Sequence, residues 1–211
     1  MKTIYLIGGT MGVGKTTVSQ QLKKELPNSV FLDGDWCWDA DPFQVTEETK
    51  AMVMRNICFL LNSFLHCTAY KNIIFCWVMH EQSIIDEIIN SLDTGDARVI
   101  KISLMIDETN LRKRLSADIA RGIRSNDVID RSVARINMYQ ILDTIKVDTV
   151  NKNVYEIVSE ILTLGRSDVL DVLGLKPTRS TALLREMAEK GIIEPVSGLG
   201  KGKYRFKNQQ G

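Results

Sequence analysis

Residues Gly9 to Thr16 read Gly-Thr-Met-Gly-Val-Gly-Lys-Thr, which is the pattern G-x-x-x-x-G-K-[ST]. This pattern constrains the fold because the loop works only where a buried strand delivers it and a helix carries it away. Both flanks are present. Lys2 to Ile7 is a short apolar, β-branched run that predicts a buried strand. Beyond the loop, Val18, Leu22 and Leu26 recur at helical spacing, and Pro27 stops the helix. The glycines let successive N–H groups turn inward as a cradle for anionic oxygens, and the helix N-terminus adds its partial positive charge. Gly9, Thr10, Met11, Gly12, Val13, Gly14, Lys15, Thr16 and Thr17 are therefore the expected phosphate contacts. Lys15 is placed to reach β- and γ-phosphates, and the Thr16 hydroxyl to ligate Mg²⁺.

Strand and helix patterns then alternate. Val30 to Leu32 predicts a short strand ending at Asp33-Gly34-Asp35, and residues 46–66 a long helix with Thr46 as N-cap. Asn72 to Met79 reads as a strand buried on both faces, 81–92 as a helix, and Arg98 to Met105 as another strand. Residues 108–121 and 127–143 predict two arginine-bearing helices around a break at Gly122, followed by a strand at Lys146–Asp148 and a helix at 153–164. Such alternation implies an α/β fold, a parallel sheet covered by helices on both faces, with its ligand crevice at the carboxyl ends of the strands.

The carboxylates narrow the chemistry. The apolar strand ending at Met79 carries no terminal Asp, and the next acid is Glu81. The acids instead follow the second strand. Two carboxylates two residues apart on extended chain point to the same side. Asp33 is then a candidate for organising Mg²⁺ and Asp35 for accepting a proton from an attacking hydroxyl; an ordinary Asp-Gly turn is the competing reading. Arg114, Arg121, Arg124, Arg131 and Arg135 crowd the helix–break–helix segment. Arginine's planar fork suits phosphate, so the segment reads as a mobile lid, with Arg121 and Arg124 as the charge-neutralising pair. Arg114, further back, is a candidate to stack on a nucleotide base. Trp36, Trp38, Phe43 and Trp77 could wall a pocket for a flat or sugar-like acceptor, and His80 could touch it.

Composition excludes several classes. The chain of 211 residues has 44% hydrophobic and 25% charged residues and a formal net charge of +1, a globular composition. Its four cysteines lack C-x-x-C spacing, so neither a zinc knuckle nor a redox pair is expected, and no apolar stretch is long enough for a membrane span. The expectation is a cytoplasmic protein with no membrane partner. Charge is uneven. Residues 164–211 hold nine Lys and Arg against five Asp and Glu, whereas residues 1–163 are mildly acidic. Two modules are therefore expected, 1–163 and 164–211.

The first module resembles the small P-loop kinases with an adenylate-kinase-like core, such as shikimate kinase, gluconate kinase, chloramphenicol phosphotransferase and related nucleotide kinases. The loop Gly9–Thr16 carries the resemblance. Asp33-x-Asp35, the Leu111-x-x-Arg114-Leu115 helix and Val147-Asp148-Thr149 match more loosely. The resemblance implies a three-layer P-loop fold with a five-stranded parallel sheet and helical lid. It also implies Mg-ATP as phosphoryl donor, with adenine held between Arg114 and the turn near Asp148-Thr149. Lys15, Asp35, Arg121 and Arg124 would be catalytic, Thr16 and Asp33 would hold the metal, and a small molecule would be the acceptor. The tail resembles a winged helix-turn-helix. Its helices would be Ser167–Leu173 and a recognition helix near 178–190, with a hairpin from Ile192–Val196 and Lys203–Phe206. Arg179, Ser180, Arg185, Lys201, Lys203 and Arg205 would then be DNA contacts, with a protein-docking or dimer element as the competing reading of the module. A nucleotide-sensing DNA-binding regulator is thus the alternative to a kinase.

Overall fold

The computed structural model describes residues 1–124 and 127–172, together with Glu186, Glu189, Ile193–Pro195 and Tyr204–Phe206. The chain divides into two compact units, Met1–Ile161 and Leu162–Gly211.

In the first unit β1 (Thr3–Gly8) runs into the glycine loop and α1 (Lys15–Glu25). There follow β2 (Ser29–Asp33), α2 (Glu47–His66), β3 (Asn72–Cys76), α3 (Gln82–Asn90), β4 (Arg98–Met105), α4 (Glu108–Ala120), α5 (Val128–Ala134), β5 (Ile145–Asp148) and the start of α6 (Val154–Val172), whose later residues fall in the second unit. The five strands form one parallel sheet in the order β2-β3-β1-β4-β5, the α/β architecture expected. Because β1 lies at the centre, the loop after it opens between β3 and β4.

Side-chain alternation assigns the strand residues to two layers. Ile4, Leu6, Ile73 and Phe75 face a core completed by Val53, Ile57 and Leu61 of α2, Ile85 and Ile88 of α3, and Tyr139. These residues are essentially buried, and each large apolar side chain so buried contributes roughly 1.5–3 kcal/mol. The other face carries Tyr5, Ile7, Ile74 and Cys76, and α1 packs against β2 and β3 through Val18 and Leu22. Asp33 belongs to this second face and is paired in register with Cys76, so the acid stands directly beside the glycine loop.

Helix α2 begins as its sequence predicts. Thr46 accepts from the Thr49 backbone N–H, and the Thr49 hydroxyl accepts from the Thr46 N–H in a capping box. Three expectations need correction. The third strand ends at Cys76, not Met79: the Trp77 N–H still bonds the Ile7 carbonyl, but the next residues turn away to bury Met79 in the core. The helix expected over 127–143 is two pieces. α5 stops at Ala134, and Ile136–Gln140 tightens into a 3₁₀ turn in which Met138 bonds the Arg135 carbonyl. Helical spacing alone cannot distinguish a continuous helix from one that tightens by one residue per turn. Finally, 153–164 and Ser167–Leu173 are not separate helices, since α6 runs unbroken from Val154 to Val172. Gly165 alone costs a helix only about 1 kcal/mol, which does not stop it.

In the second unit, β6 (Ile193–Pro195) and β7 (Tyr204–Phe206) pair antiparallel, as the expected hairpin requires. Most of the expected recognition helix, and Arg179, Ser180, Arg185, Lys201 and Lys203, lie outside the described residues. No helix among the described residues is long and apolar enough to cross a membrane.

Candidate active site

The glycine loop has the backbone its sequence demands. Gly9, Gly12 and Gly14 have φ of 152°, 81° and 105°, a region that L side chains seldom adopt. A Cβ on Gly12 would also lie 2.6 Å from the Leu115 side chain, so α4 packs hard against the loop. Gly14 caps α1 in a left-handed conformation and offers no side-chain acceptor to the first-turn N–H groups. Those donors are left for a ligand, and an anion suits them.

Lys15 Nζ donates to the Gly9 and Thr10 carbonyls at 2.9 and 3.2 Å, arching over the loop. Burial pushes its pKa down, while Asp35 and Asp33 pull it back up. The Thr16 hydroxyl donates to Asp33 Oδ2 at 2.8 Å, and the Cys76 thiol approaches the same oxygen at 3.4 Å. Burial beside Asp33 raises that thiol to about 12, so Cys76 stays protonated and serves as a donor. The Asp35 N–H donates to Asp33 Oδ1 at 3.2 Å, which closes the turn between the two acids.

Asp35 is the more open carboxylate. Trp77 Nε1 donates to its Oδ1 at 3.1 Å. Crowding by the surrounding protein, and then the Asp33 charge, raise its pKa, against the opposing pull of Lys15 and Arg124. Trp77 in turn lies on Gly34, where an added Cβ would sit 2.5 Å from the indole. Gly34→Ala should therefore displace the ring and cost about 1–3 kcal/mol, as overpacking typically does. A drop in Tm with a shift in tryptophan emission is the expected reading; an unchanged Tm would contradict this packing.

The arginines separate by role. Arg114 is anchored through the edge of its guanidinium: Nη1 donates to the Val13 carbonyl at 2.9 Å and Nη2 to the Thr149 carbonyl at 3.1 Å. It thus ties the glycine loop to the turn after β5. Beside that turn, Asp148 and Val150 line an open cleft with Met105, Glu108 and Asn137. Arg124 pairs with Asp118 at 3.2 Å, and its charge acts on both Lys15 and Asp35. Arg121 ends α4 and is exposed. Arg131 pairs with Asp127 at 2.8 Å. The Thr10 hydroxyl donates to the Ser132 carbonyl at 2.7 Å, fastening α5 to the loop. His80 is held low by burial and by Arg135, so it is neutral at pH 7.

Three contacts were not readable from the sequence. They are Cys76 on Asp33, Trp77 on Asp35 and Thr10 on α5, each joining residues far apart in the chain. The Asp33–Cys76 register was in principle deducible from strand order, but a cysteine within an apolar run signals only burial. Thr16 and Asp33 offer two oxygens on the metal side. Among the described residues no group of three or more His, Cys, Asp or Glu is placed to hold a metal ion. The donor set therefore suits Mg²⁺, which takes one or two protein oxygens and completes its shell with phosphate and water.

A parallel sheet in this order with such a loop between β1 and α1 defines a P-loop nucleotide-binding protein. A family described as an AAA domain matches residues 6–133, more than half of the chain. The chain belongs to that family, and its architecture is that of the small P-loop kinases. A shikimate kinase from Bacillus cytotoxicus is 28% identical over 171 residues, spanning 77% of this chain and 97% of the relative. Among solved structures, a gluconokinase from Sinorhizobium meliloti superposes with a TM-score of 0.58 at 18% identity, covering 82% of this chain and 95% of that one. A tunicamycin resistance protein from Deinococcus radiodurans gives 0.59 at 16% identity, covering 83% and 98%.

Proposed function

We propose that the chain is an ATP-dependent phosphotransferase that moves the γ-phosphoryl group of Mg-ATP to a hydroxyl of a small molecule. The observation that carries this reading is the pair Asp33 and Asp35 at the rim of the glycine loop. One acid is bonded to Thr16, and the other stands open to solvent with a raised pKa. The 28%-identical relative, a shikimate kinase covered over nearly its whole length, supports the same class of activity.

Bound Mg-ATP supplies the electrophilic phosphorus and a cation that draws charge from the phosphate oxygens. The N–H groups of Gly9 to Thr17 and the Lys15 ammonium hold the donor phosphates. Thr16 Oγ1 and the Asp33 carboxylate take the metal side, with Cys76 fixing the carboxylate. Arg114 orders the wall next to the base by joining Val13 to Thr149. Asp35 orients the acceptor hydroxyl and takes its proton as the new P–O bond forms and the bond to ADP breaks. The proton then passes to water. Arg124, facing Lys15 and Asp35, compensates charge on the phosphoryl group, with Arg121 entering from the exposed end of α4.

Acceptor-stimulated ADP release from the purified chain, followed over a panel of nucleosides, sugars and ring acids, tests this reading. Nucleotide binding with no stimulation by any hydroxyl compound would count against it. The base role also fixes a sign for pH. Asp35 must be ionised to accept a proton, and its pKa is raised. The acid limb of kcat/KM should therefore fall at a pH above the ordinary Asp value of about 3.9. A profile flat down to that value would assign the proton to another group.

A further inference from the structure

The surface beside Asp35 has a chemistry of its own. The Trp77 indole is locked on both sides, by its bond to Asp35 and by its seat on Gly34. Trp38 meets it edge-on with 6.2 Å between ring centroids, and Phe43 meets Trp38 at 4.8 Å. Trp38 and Trp77 are partly buried and rest on the core, while Phe43 remains 56% exposed, so the trio runs from the core out to an aromatic face open to solvent. Trp36 is not part of it and packs on Phe31.

The segment that carries this surface is strongly acidic. From Pro27 to Thr49 it holds Asp33, Asp35, Asp39, Asp41, Glu47 and Glu48, with no Lys or Arg. Asp35, Asp39 and Asp41 are all exposed. The cations that act on Asp35 are Lys15, held on the Gly9 and Thr10 carbonyls, and Arg124, paired with Asp118, and Arg135 acts instead on His80. An acidic acceptor seated here would bring a further negative charge against Asp33 and Asp35 with no cation assigned to meet it. A neutral ring meets no such repulsion, and a cationic one gains from both the carboxylates and the aromatic faces.

Building on the kinase reading above, we propose that the acceptor is a hydroxylated ring compound with no acidic group, neutral or cationic, that lies against Trp38, Trp77 and Phe43 and presents its hydroxyl to Asp35. Trp77 is then a positioning residue as well as a wall, because it fixes the carboxylate that receives the proton.

The test uses the full chain with a non-hydrolysable Mg-ATP analogue bound. Uridine, adenosine, glucosamine and inositol are titrated against shikimate and gluconate, with binding read by tryptophan fluorescence and turnover by ADP release. At least one non-acidic ring should bind about tenfold or more tightly than either acid. Phe43→Ala should weaken that binding severalfold without changing affinity for the analogue. Trp77→Phe keeps a ring but loses the bond to Asp35, so it should lower kcat more than it raises KM. Equal or tighter binding of shikimate or gluconate overturns the proposal, as does acceptor affinity unmoved by Phe43→Ala, or analogue binding with no non-acidic ring bound. Failure to bind the analogue at all instead overturns the kinase reading, and this proposal with it.

Discussion

Lys15→Met should remove phosphoryl transfer, lowering kcat/KM for any acceptor by on the order of 10³-fold or more, the scale on which a pre-placed donor to a developing charge acts. Methionine keeps the length and apolar stem of lysine, so the loop retains its packing while the charge is lost. In the resting site the ammonium holds the Gly9 and Thr10 carbonyls, which places it over the cradle before any phosphate arrives. Its stability effect should run the other way. Burial is the largest influence on Lys15 and lowers its folded pKa. A lysine with a depressed folded pKa contributes stability only at high pH, and loses it as pH falls through the folded value. At pH 7.5 the charged side chain is thus a burden on the fold, offset in part by its two hydrogen bonds. Tm of Lys15→Met should lie within a few degrees of wild type or above it. Retained turnover would remove Lys15 from the mechanism, and collapse of the fold would show that its carbonyl bonds matter more than its charge.

Much of this molecule is legible in its sequence, for identifiable physical reasons. The strand, loop and helix from Thr3 to Glu25 are specified locally, because glycines at 9, 12 and 14 are required by positive φ and β1 is apolar throughout. Thr46 announces α2 through a cap that its own side chain forms. Less legible is whatever depends on residues meeting across the sheet. Trp77 reads as a strand residue that could wall a pocket, but nothing local tells that it lies beyond the end of β3 and bonds Asp35. Arg114 reads as an arginine placed beside a nucleotide base, but nothing local tells that its edge also donates to backbone carbonyls of two distant loops. The break at Arg135 is hidden because apolar spacing continues through it while the backbone tightens. Local chemistry thus reveals the phosphate side of the site, and tertiary contacts build the acceptor side.

Asp35→Asn should separate function from stability more sharply than any other change. The amide keeps the shape of the carboxylate and can still accept from Trp77 Nε1, so the aromatic wall stays in place. It cannot accept a proton at neutral pH, and kcat should fall about 10²- to 10⁴-fold, the span of general base catalysis, with KM changing much less. The fold has the opposite interest. Desolvation, followed by the Asp33 charge, raises the folded pKa of Asp35 above its unfolded value. A carboxyl group shifted that way stabilises the fold below the ordinary carboxylate range and loses that contribution as pH rises through the raised value. At pH 7.5 the ionised side chain therefore works against folding, although its exposure to solvent screens the effect. Asp35→Asn should show a Tm equal to or above wild type at pH 7.5, and the difference should close as both are taken below pH of about 4, where wild-type Asp35 is protonated as well. Thermal unfolding across that range, beside steady-state rates, measures both halves. A variant that keeps wild-type kcat would deny Asp35 the base role, and one that loses Tm at neutral pH but regains it in acid would reverse the sign argued from Asp33. If both halves hold, the fold keeps two like charges adjacent at a cost to its own stability, and the Thr16–Asp33 bond with the Trp77–Asp35 bond is what keeps that pair in place for catalysis.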